Sequence, residues 1–447
     1  PDPGDDGCST ADVVSAIDAA VRDRVDVLNL SMSGLRGLDT VDYALLGAAE
    51  ADIPVAMAAG NGHDQITSAQ PWTTVVGAST GPDRRGELRL SNGSSFKGVM
   101  AAKGIAKTTP LVPGASVPAP GRTRAQARLC LPGSLDAARV NGKIVLCERG
   151  RIARVDKSAA VKLADGVAMV LVNAARRPLS ADFHSVPTLH VSASEGDRLR
   201  RELRAPSPVT GRLVRVPDLK THPRVLPWSA RGRPDRHVVE PSLVSPGFGL
   251  LAATSGSGDG SSWELLSGTS ASTATVSGLS ARLRARHPEW TASRIRSALM
   301  TSATSAGQIT PLAQGSGVAS PARSLRPGLS FDLDPARYRR MLERDEDPST
   351  LNLPSVMASQ TNRTIVVTRE VTNTDRRHMY YSSSTRGFGA HRVSVTPAAV
   401  RMAPGETREF QIRIVPRPGT QTELASGWVS WHGANGARVR IPVVLPR

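Results

Sequence analysis

Ile53-Pro54-Val55-Ala56-Met57-Ala58-Ala59-Gly60-Asn61-Gly62 reads as a short apolar strand that breaks off in a glycine-flanked Asn. On its N-terminal side lie a helix over about Thr40 to Glu50 and a second apolar strand, Val25 to Ser31 (VDVLNLS). Further upstream, Ser9 and Asp12 make a capping-box-like start for a helix with Val13, Ile17 and Val21 at i, i+4 on one face. On the C-terminal side, Thr73 to Ser79 reads as a third strand. This alternation predicts a parallel sheet with helices on both faces. Functional groups in such sheets collect beyond the C-terminal strand ends, and Asn61 falls at one.

Further out the pattern changes. From about Lys103 to Lys220 Pro is frequent, helices are fewer and short strands dominate: Lys143 to Cys147, Ala168 to Val172, Thr188 to Val191. After Pro227 the α/β pattern returns and holds to about Pro327, so the middle segment reads as an insertion. A polar stretch, Asp332 to Thr350, reads as a linker. Beyond it, Thr364 to Val371, His391 to Val395, Glu409 to Val415 and Arg438 to Val444 alternate with period 2, with turns at Pro404-Gly405 and Asn435-Gly436. That is the pattern of an all-β sandwich. The expected organisation is an α/β domain from residues 1–104 and 226–330, a β-rich insert over 105–225, a linker over 331–350 and a sandwich over 351–447.

Composition excludes several functions. A chain of 447 residues exceeds one ordinary core. No apolar run reaches the roughly 18 residues of a membrane span, and Pro1-Asp2-Pro3-Gly4-Asp5-Asp6 carries no targeting signal. The net charge of +17 comes almost wholly from Arg, scattered as in Arg84-Arg85, Arg176-Arg177, Arg200-Arg201, Arg339-Arg340 and Arg376-Arg377. No basic run interleaves with aromatics, so no nucleic-acid partner is expected. Cys8, Cys130 and Cys147 lie far from any Cys/His partner at metal-ligand spacing, so no metal or cofactor is expected. One disulfide and one orphan is the simplest reading of an odd number.

The sharpest local chemistry is Leu266-Ser267-Gly268-Thr269-Ser270-Ala271-Ser272, which runs into a helix with Val276, Leu279 and Leu283 on one face. A Ser in the first turn of a helix has free backbone N–H groups and the positive end of the dipole beside it. A nucleophilic hydroxyl and a developing oxyanion need both. Read alone, the segment better suits a Ser that merely caps its helix.

Combined, these segments resemble the subtilisin-like serine proteases, the subtilases. SGTSAS is similar to their SGTSM motif, which implies Ser270 as nucleophile. AAGNG resembles their AAGN, which implies Asn61 as oxyanion donor. LNLSMSG (Leu28 to Gly34) resembles the substrate-binding strand, so Ser31, Met32, Ser33 and Gly34, with Ala59 and Gly60, would line the cleft. HPEWTASRIRSALMTSA (His287 to Ala303) resembles the helix after the nucleophile helix. PARSLRPGLSFD and LNLPS are similar to plant-type and actinobacterial members. LCLPGSL and GKIVLCERG resemble the protease-associated domain those members insert, and the C-terminal part resembles their fibronectin type III-like domain. The resemblance implies a Cys130–Cys147 disulfide with Cys8 free, a polypeptide substrate and a secreted protein.

The departures are as informative. The family's Asp-Thr-Gly and His-Gly-Thr motifs, which carry the other triad members, occur nowhere in this sequence. Its Pro-His pair after the nucleophile is Ala274-Thr275 here; SSRGP becomes Ser229 to Arg233, and KPDITAPG becomes Glu240 to Gly247. Of the nine histidines His63 stands nearest a site element, on the oxyanion side where no base would approach, and His287 reads as a helix-end residue. Without a base the hydroxyl is a poor nucleophile. Two readings follow: an endopeptidase read without its Asp and His, for which an orphan Cys8 speaks, or a pseudoprotease binding partners as a scaffold.

Overall fold

The computed structural model describes residues 9–33, 38–62, 65–67, 70–81, 84–175, 179–204, 207–216, 223–253, 263–307, 309–358, 363–389, 391–417 and 424–445. It forms two compact units. One comprises Pro1–Gly81, His222–Phe248 and Ser267–Arg447, the other Pro82–Thr221 and Gly249–Leu266.

At the centre of the first unit, strands Leu28–Leu30, Val55–Ala58, Thr74–Ser79 and Leu243–Pro246 lie side by side, all parallel. Alternation along Val55–Ala58 splits its side chains between two cores. Val55 and Met57 pack with Ile17, Leu45, Leu46 and Trp72, and Ala56 packs with Val76, Leu243, Val276, Leu279 and Leu283. Helices Thr10–Arg22 and Thr40–Glu50 cover the first face and helix Thr269–Arg286 the second. The fold is therefore the doubly wound α/β core that the sequence implies. Its helices start where their caps dictate: Ser9 Oγ accepts from the Asp12 N–H, and Asp39 and Asp42 complete a capping box.

The second unit is a closed barrel in the order Thr210–Arg215, Arg85–Leu90, Ser95–Val99, Thr188–Val191, Ala168–Val172, Ile144–Glu148, Thr109–Pro113. Strands Arg85–Leu90 and Ser95–Val99, expected to belong with the α/β segment that ends at 104, instead close this barrel. Leu88, Leu90 and Phe96 point into its core beside Leu213. The insertion therefore begins near Pro82, not at 105. It is also more helical than expected, with Arg154–Leu163 crossing between the parallel strands Ile144–Glu148 and Ala168–Val172. Cys130 and Cys147, both fully buried, are joined by a disulfide with Cα atoms 5.6 Å apart. Cys8 lies outside the described residues.

The expected linker over 331–350 is a structured bridge. Ala336–Arg344 is a helix whose Tyr338 and Met341 are buried in the core containing Leu45 and Leu46, while Arg339 pairs outward with Glu50 at 2.6 Å. The many charges of this segment occupy the solvent side of a helix; they do not mark a free chain. Arg369, on the first long strand of the sandwich, is buried and donates to the carbonyls of Ser349, Leu353, Ser355 and Thr368, anchoring the bridge. Burial pushes its guanidinium down to about 9.

The sandwich has a four-stranded sheet (Leu329–Ser330, Ile365–Asn373, Thr407–Pro416, His391–Thr396) and a five-stranded one (Val356–Met357, Arg438–Leu445, Ala425–Gly433, Met379–Gly387, Ala399–Met402). Met379–Gly387, Ala399–Met402 and Ala425–Gly433 add to the four runs expected. Phe410 and Phe331 meet Trp431 edge-on, with centroids 5.5 and 6.0 Å apart, inside a core that includes Tyr381, Val371 and Ile412.

Candidate active site

Three C-terminal strand ends and one helix N-terminus meet in the first unit. Strand Leu28–Leu30 leads into Ser31, strand Val55–Ala58 into Gly60-Asn61, and strand Leu243–Pro246 into Gly247. Helix Thr269–Arg286 begins among them. Gly268 is its N-cap, with φ +155 and no side-chain cap, so Ser270 sits in the first turn and is not the cap. Only Gly takes that backbone conformation readily. Gly247 is needed for space: a Cβ there would lie 2.2 Å from Ser272 Oγ and 3.0 Å from the Gly268 carbonyl. The Gly268 N–H donates to the Gly247 carbonyl at 2.9 Å, and Ser272 Oγ to that of Ser245 at 3.1 Å, locking the helix start onto the sheet end.

Thr269 fixes Asn61. Its N–H and its hydroxyl both donate to Asn61 Oδ1, at 2.8 and 3.0 Å, and its hydroxyl accepts from the Gly60 N–H at 3.2 Å. A backbone N–H can only donate, so the side-chain oxygen faces Thr269 and the amide NH2 is left to donate elsewhere. A Cβ placed on Gly268 would lie 3.5 Å from Asn61 Nδ2 and 3.7 Å from Ser270 N. Asn61 Nδ2 and Ser270 N therefore lie no more than 7.2 Å apart, at the positive end of a helix of 18 residues.

Ser270 Oγ donates to the Ser31 carbonyl at 3.0 Å, and Ser31 Oγ donates to the Ser270 carbonyl at 3.3 Å. Behind this exchange Asn29 Nδ2 donates to Ser31 Oγ (3.0 Å) and Ser277 Oγ to Asn29 Oδ1 (2.9 Å). Ser270 is half-buried, while Asn61, Ser31, Met32 and Ser33 are exposed. Among the described residues, no titratable side chain hydrogen-bonds to Ser270, Asn61 or Thr269.

The sequence-derived set is therefore gathered in part. Ser270, Asn61, Gly60 and Ser31 share one network, with Met32 and Ser33 following in the chain. Ala59 does not face it: the side chain is 3% exposed and packs on Ile66, Val75 and Ala230. Gly34 and His63 lie outside the described residues. His287 closes the helix and stacks on Trp290, centroids 3.9 Å apart. Thr269, Asn29 and Ser277 were not singled out from sequence. The first two stand inside the quoted motifs, whereas Ser277 carries no local signal.

Below the sheet, Glu240 (1% exposed) accepts from Ser242 Oγ at 3.0 and 3.2 Å and lies 3.7 Å from Arg296. The Val75 N–H donates to Ser242 Oγ at 3.1 Å, so this group holds the start of strand Leu243–Pro246. Burial drives the Glu240 carboxyl up to about 8, and Arg296 and Ser242 pull it part of the way back.

A doubly wound sheet, a Ser in the first turn of a helix at its C-terminal edge, a pinned Asn amide beside it and a C-terminal β-sandwich define an α/β domain of the serine-hydrolase layout. Residues 3–317 match the model of the subtilase family, and residues 350–445 match a fibronectin type-III domain. The chain belongs to the subtilase family. It is 35% identical to the subtilisin-like protease SBT1.3 of Arabidopsis thaliana over 80% of this chain and 50% of that one. With SBT1.6 of the same plant identity is 31%, over 99% of this chain and 67% of that one. The chain thus spans half to two thirds of the length of these two relatives. A solved subtilisin-like protease, Apa1 of the Antarctic Pseudoalteromonas sp. AS-11, aligns over 76% of each chain with 16% identity and a TM-score of 0.34, which adds nothing to the assignment.

Proposed function

We propose that this fold serves peptide-bond hydrolysis, with Ser270 as nucleophile and the Ser270 N–H and Asn61 Nδ2 as the oxyanion hole. Ser31, Met32 and Ser33 form the substrate wall. The observation that carries the reading is the Asn61 amide, whose oxygen is held by two bonds from Thr269 so that its NH2 is left to donate, no more than 7.2 Å from the Ser270 N. A tetrahedral intermediate places its oxygen between donors of that kind. The substrate is a polypeptide, the barrel acts as a protease-associated domain, and the buried Cys130–Cys147 bond suits a secreted protein in an oxidising compartment. Among the described residues, no helix is long and apolar enough to cross a membrane.

These 447 residues by themselves are expected to be catalytically silent. Ser270 Oγ is engaged with a carbonyl, and neither the His motif that would take its proton nor the Asp motif that would orient that His is present in this sequence. Losing a triad member costs on the order of 10⁴–10⁶ in turnover, a magnitude established on proteases of this and related types. Incubation with a fluorophosphonate probe should leave Ser270 unlabelled. A longer chain carrying an Asp-Thr-Gly and a His-Gly-Thr segment ahead of Pro1 should label it, and Ser270→Ala should abolish that labelling. Labelling of the 447 residues alone would show that a base exists within them.

A second reading, a pseudoprotease that acts as a binding scaffold, is favoured by Ala274-Thr275 after the nucleophile. There Thr275 Oγ1 does no more than donate to the Ala271 carbonyl at 3.1 Å. A native gene lacking the two motifs would support it.

A further inference from the structure

The strands of one sheet of the sandwich carry arginines and no acidic residue. Strand residues alternate between faces. The buried Met379, Tyr381, Met402, Val429, Trp431 and Val439 therefore turn the intervening residues of the five-stranded sheet outward. The register sets Arg401 opposite Tyr380, Arg438 opposite His432, Arg386 opposite Trp428 and Arg440 opposite Ser430. Strands Met379–Gly387, Ala399–Met402, Ala425–Gly433 and Arg438–Leu445 contain no Asp or Glu at all. Arg386, Arg401 and Arg438 are exposed, and no ion pair is formed by any of them among the described residues. The other sheet differs: Arg408 pairs with Glu406 at 2.6 Å, and Glu370 stands opposite Glu409.

At one edge the charges crowd. Arg323 Nη2 donates to the Arg438 carbonyl at 3.2 Å, and Arg440 lies over the Trp428 ring, 3.9 Å from its centroid, with Nη2 donating to the Ser316 carbonyl. Burial, and then the neighbouring guanidinium groups, push Arg440 down to about 10 and Arg323 down as well. The fold thus holds three like charges together with a π face and carbonyls and, among the described residues, no carboxylate as counterparts.

We propose that this face binds a carboxylate-bearing polysaccharide, a polyuronate, laid across the sheet from Arg438 to Arg401, with Arg386 further along the same face on Met379–Gly387. Neighbouring strands stand about 4.8 Å apart, so Arg438 and Arg401, three strand spacings apart, span several sugar units. Guanidinium meets carboxylate in a two-pronged geometry, and the exposed Ser382 and Ser384 between the arginines suit sugar hydroxyls. A single-stranded nucleic acid would want a row of stacking rings; Trp428 is already covered by Arg440, which leaves Tyr380. A bilayer would want several apolar side chains to insert, and within the four arginine-bearing strands the described large apolar group that is exposed is Tyr380.

The test measures binding of fluorescently labelled oligogalacturonate to the full chain by anisotropy at physiological ionic strength. Arg386→Gln, Arg401→Gln and Arg438→Gln together should weaken it at least about tenfold. The triple Arg363→Gln, Arg392→Gln, Arg413→Gln, with the same loss of charge away from this face, should change it less than about twofold. Arg401→Gln alone should weaken it about threefold, which keeps the test open if the first triple does not fold. Equal losses in both triples would assign the binding to the net charge of +17 and overturn the proposal, as would no binding by the unaltered chain. Tighter binding of oligo-dT or of anionic lipid vesicles, with the same dependence on the three arginines, would overturn the polyuronate as occupant.

Discussion

At the scale of single residues, the site was legible where chemistry forces a residue type and illegible where a partner supplies the reason. Ser270 and Asn61 stood out because SGTSAS and AAGNG, at a helix start and a strand end, resemble two motifs of one family. Thr269 did not stand out, since its role appears only once Asn61 Oδ1 is seen to accept both of its donors. Ala59 was misread because a motif names consecutive residues whereas a strand end alternates their directions. Glu240 was noted only as a departure from a pattern, yet it makes the clearest residue-level prediction. Its carboxyl is raised from the ordinary 4.5 to about 8. Between those values the folded state holds a proton that the unfolded state releases, so stability falls as pH rises through the window. The fall is at most about 1.4 kcal/mol per pH unit. Denaturant midpoints between pH 5 and pH 8 should drop steadily in the unaltered chain and much less in Glu240→Gln. Equal slopes would mean that Glu240 is ionised throughout, paired with Arg296.

Elements were legible in proportion to how cleanly their period separates inside from outside. Val25 to Ser79 was readable because its strands are short, mostly apolar runs and its helix carries a cap. Arg85–Leu90 was missed because charged Arg and Glu alternate with Gly and Leu on a strand whose one buried side faces a barrel. The helix Ala336–Arg344 was missed for a similar reason: its charges dominate the composition, and two buried side chains, Tyr338 and Met341, decide its fate. This weighting can be measured. Met341→Ala should cost about 2–5 kcal/mol of unfolding free energy, as buried apolar truncations do. Arg340→Ala, on the solvent side of the same helix, should stay within about 0.5 kcal/mol. Similar effects of both on the denaturation midpoint would restore the linker reading. In the barrel, strands Arg85–Leu90 and Thr210–Arg215 are antiparallel with Gly86 opposite Arg215, so the two ends of residues 84–216 are neighbours. That segment expressed alone should unfold cooperatively, and reducing Cys130–Cys147, 17 residues apart, should destabilise it by about 3 kcal/mol. A non-cooperative transition, or no response to reductant, would contradict the barrel as an autonomous element.

For the molecule as a whole, the sequence pattern divides the chain at a change of period, whereas packing decides which parts stand alone. The sandwich reads as a separate domain because its strands alternate and the α/β segments do not. In the folded chain it shares side chains with the α/β part. Met357 and Val444 complete a buried cluster with Val239 and Leu312, and Leu351 and Leu353 lie in the core that holds Leu45 and Leu46. Arg440 reaches the Ser316 carbonyl, and Gly317 next to it comes so close to Arg440 Nη2 that an added Cβ would sit 2.9 Å away. No periodicity could announce these contacts, because they join residues whose local patterns are independent. Ending the chain at Pro348 would remove Leu351, Leu353, Met357 and Val444, each fully burying about 1.5–3 kcal/mol of apolar side chain. The sum rivals the 5–15 kcal/mol that separates a folded domain from its unfolded state. The α/β part without the sandwich is therefore expected to be aggregated or largely unfolded, lacking the cooperative thermal transition of the full chain. A truncated chain that melts cooperatively within a few degrees of the full one would show that the shared cores are dispensable and that the sandwich is an appendage.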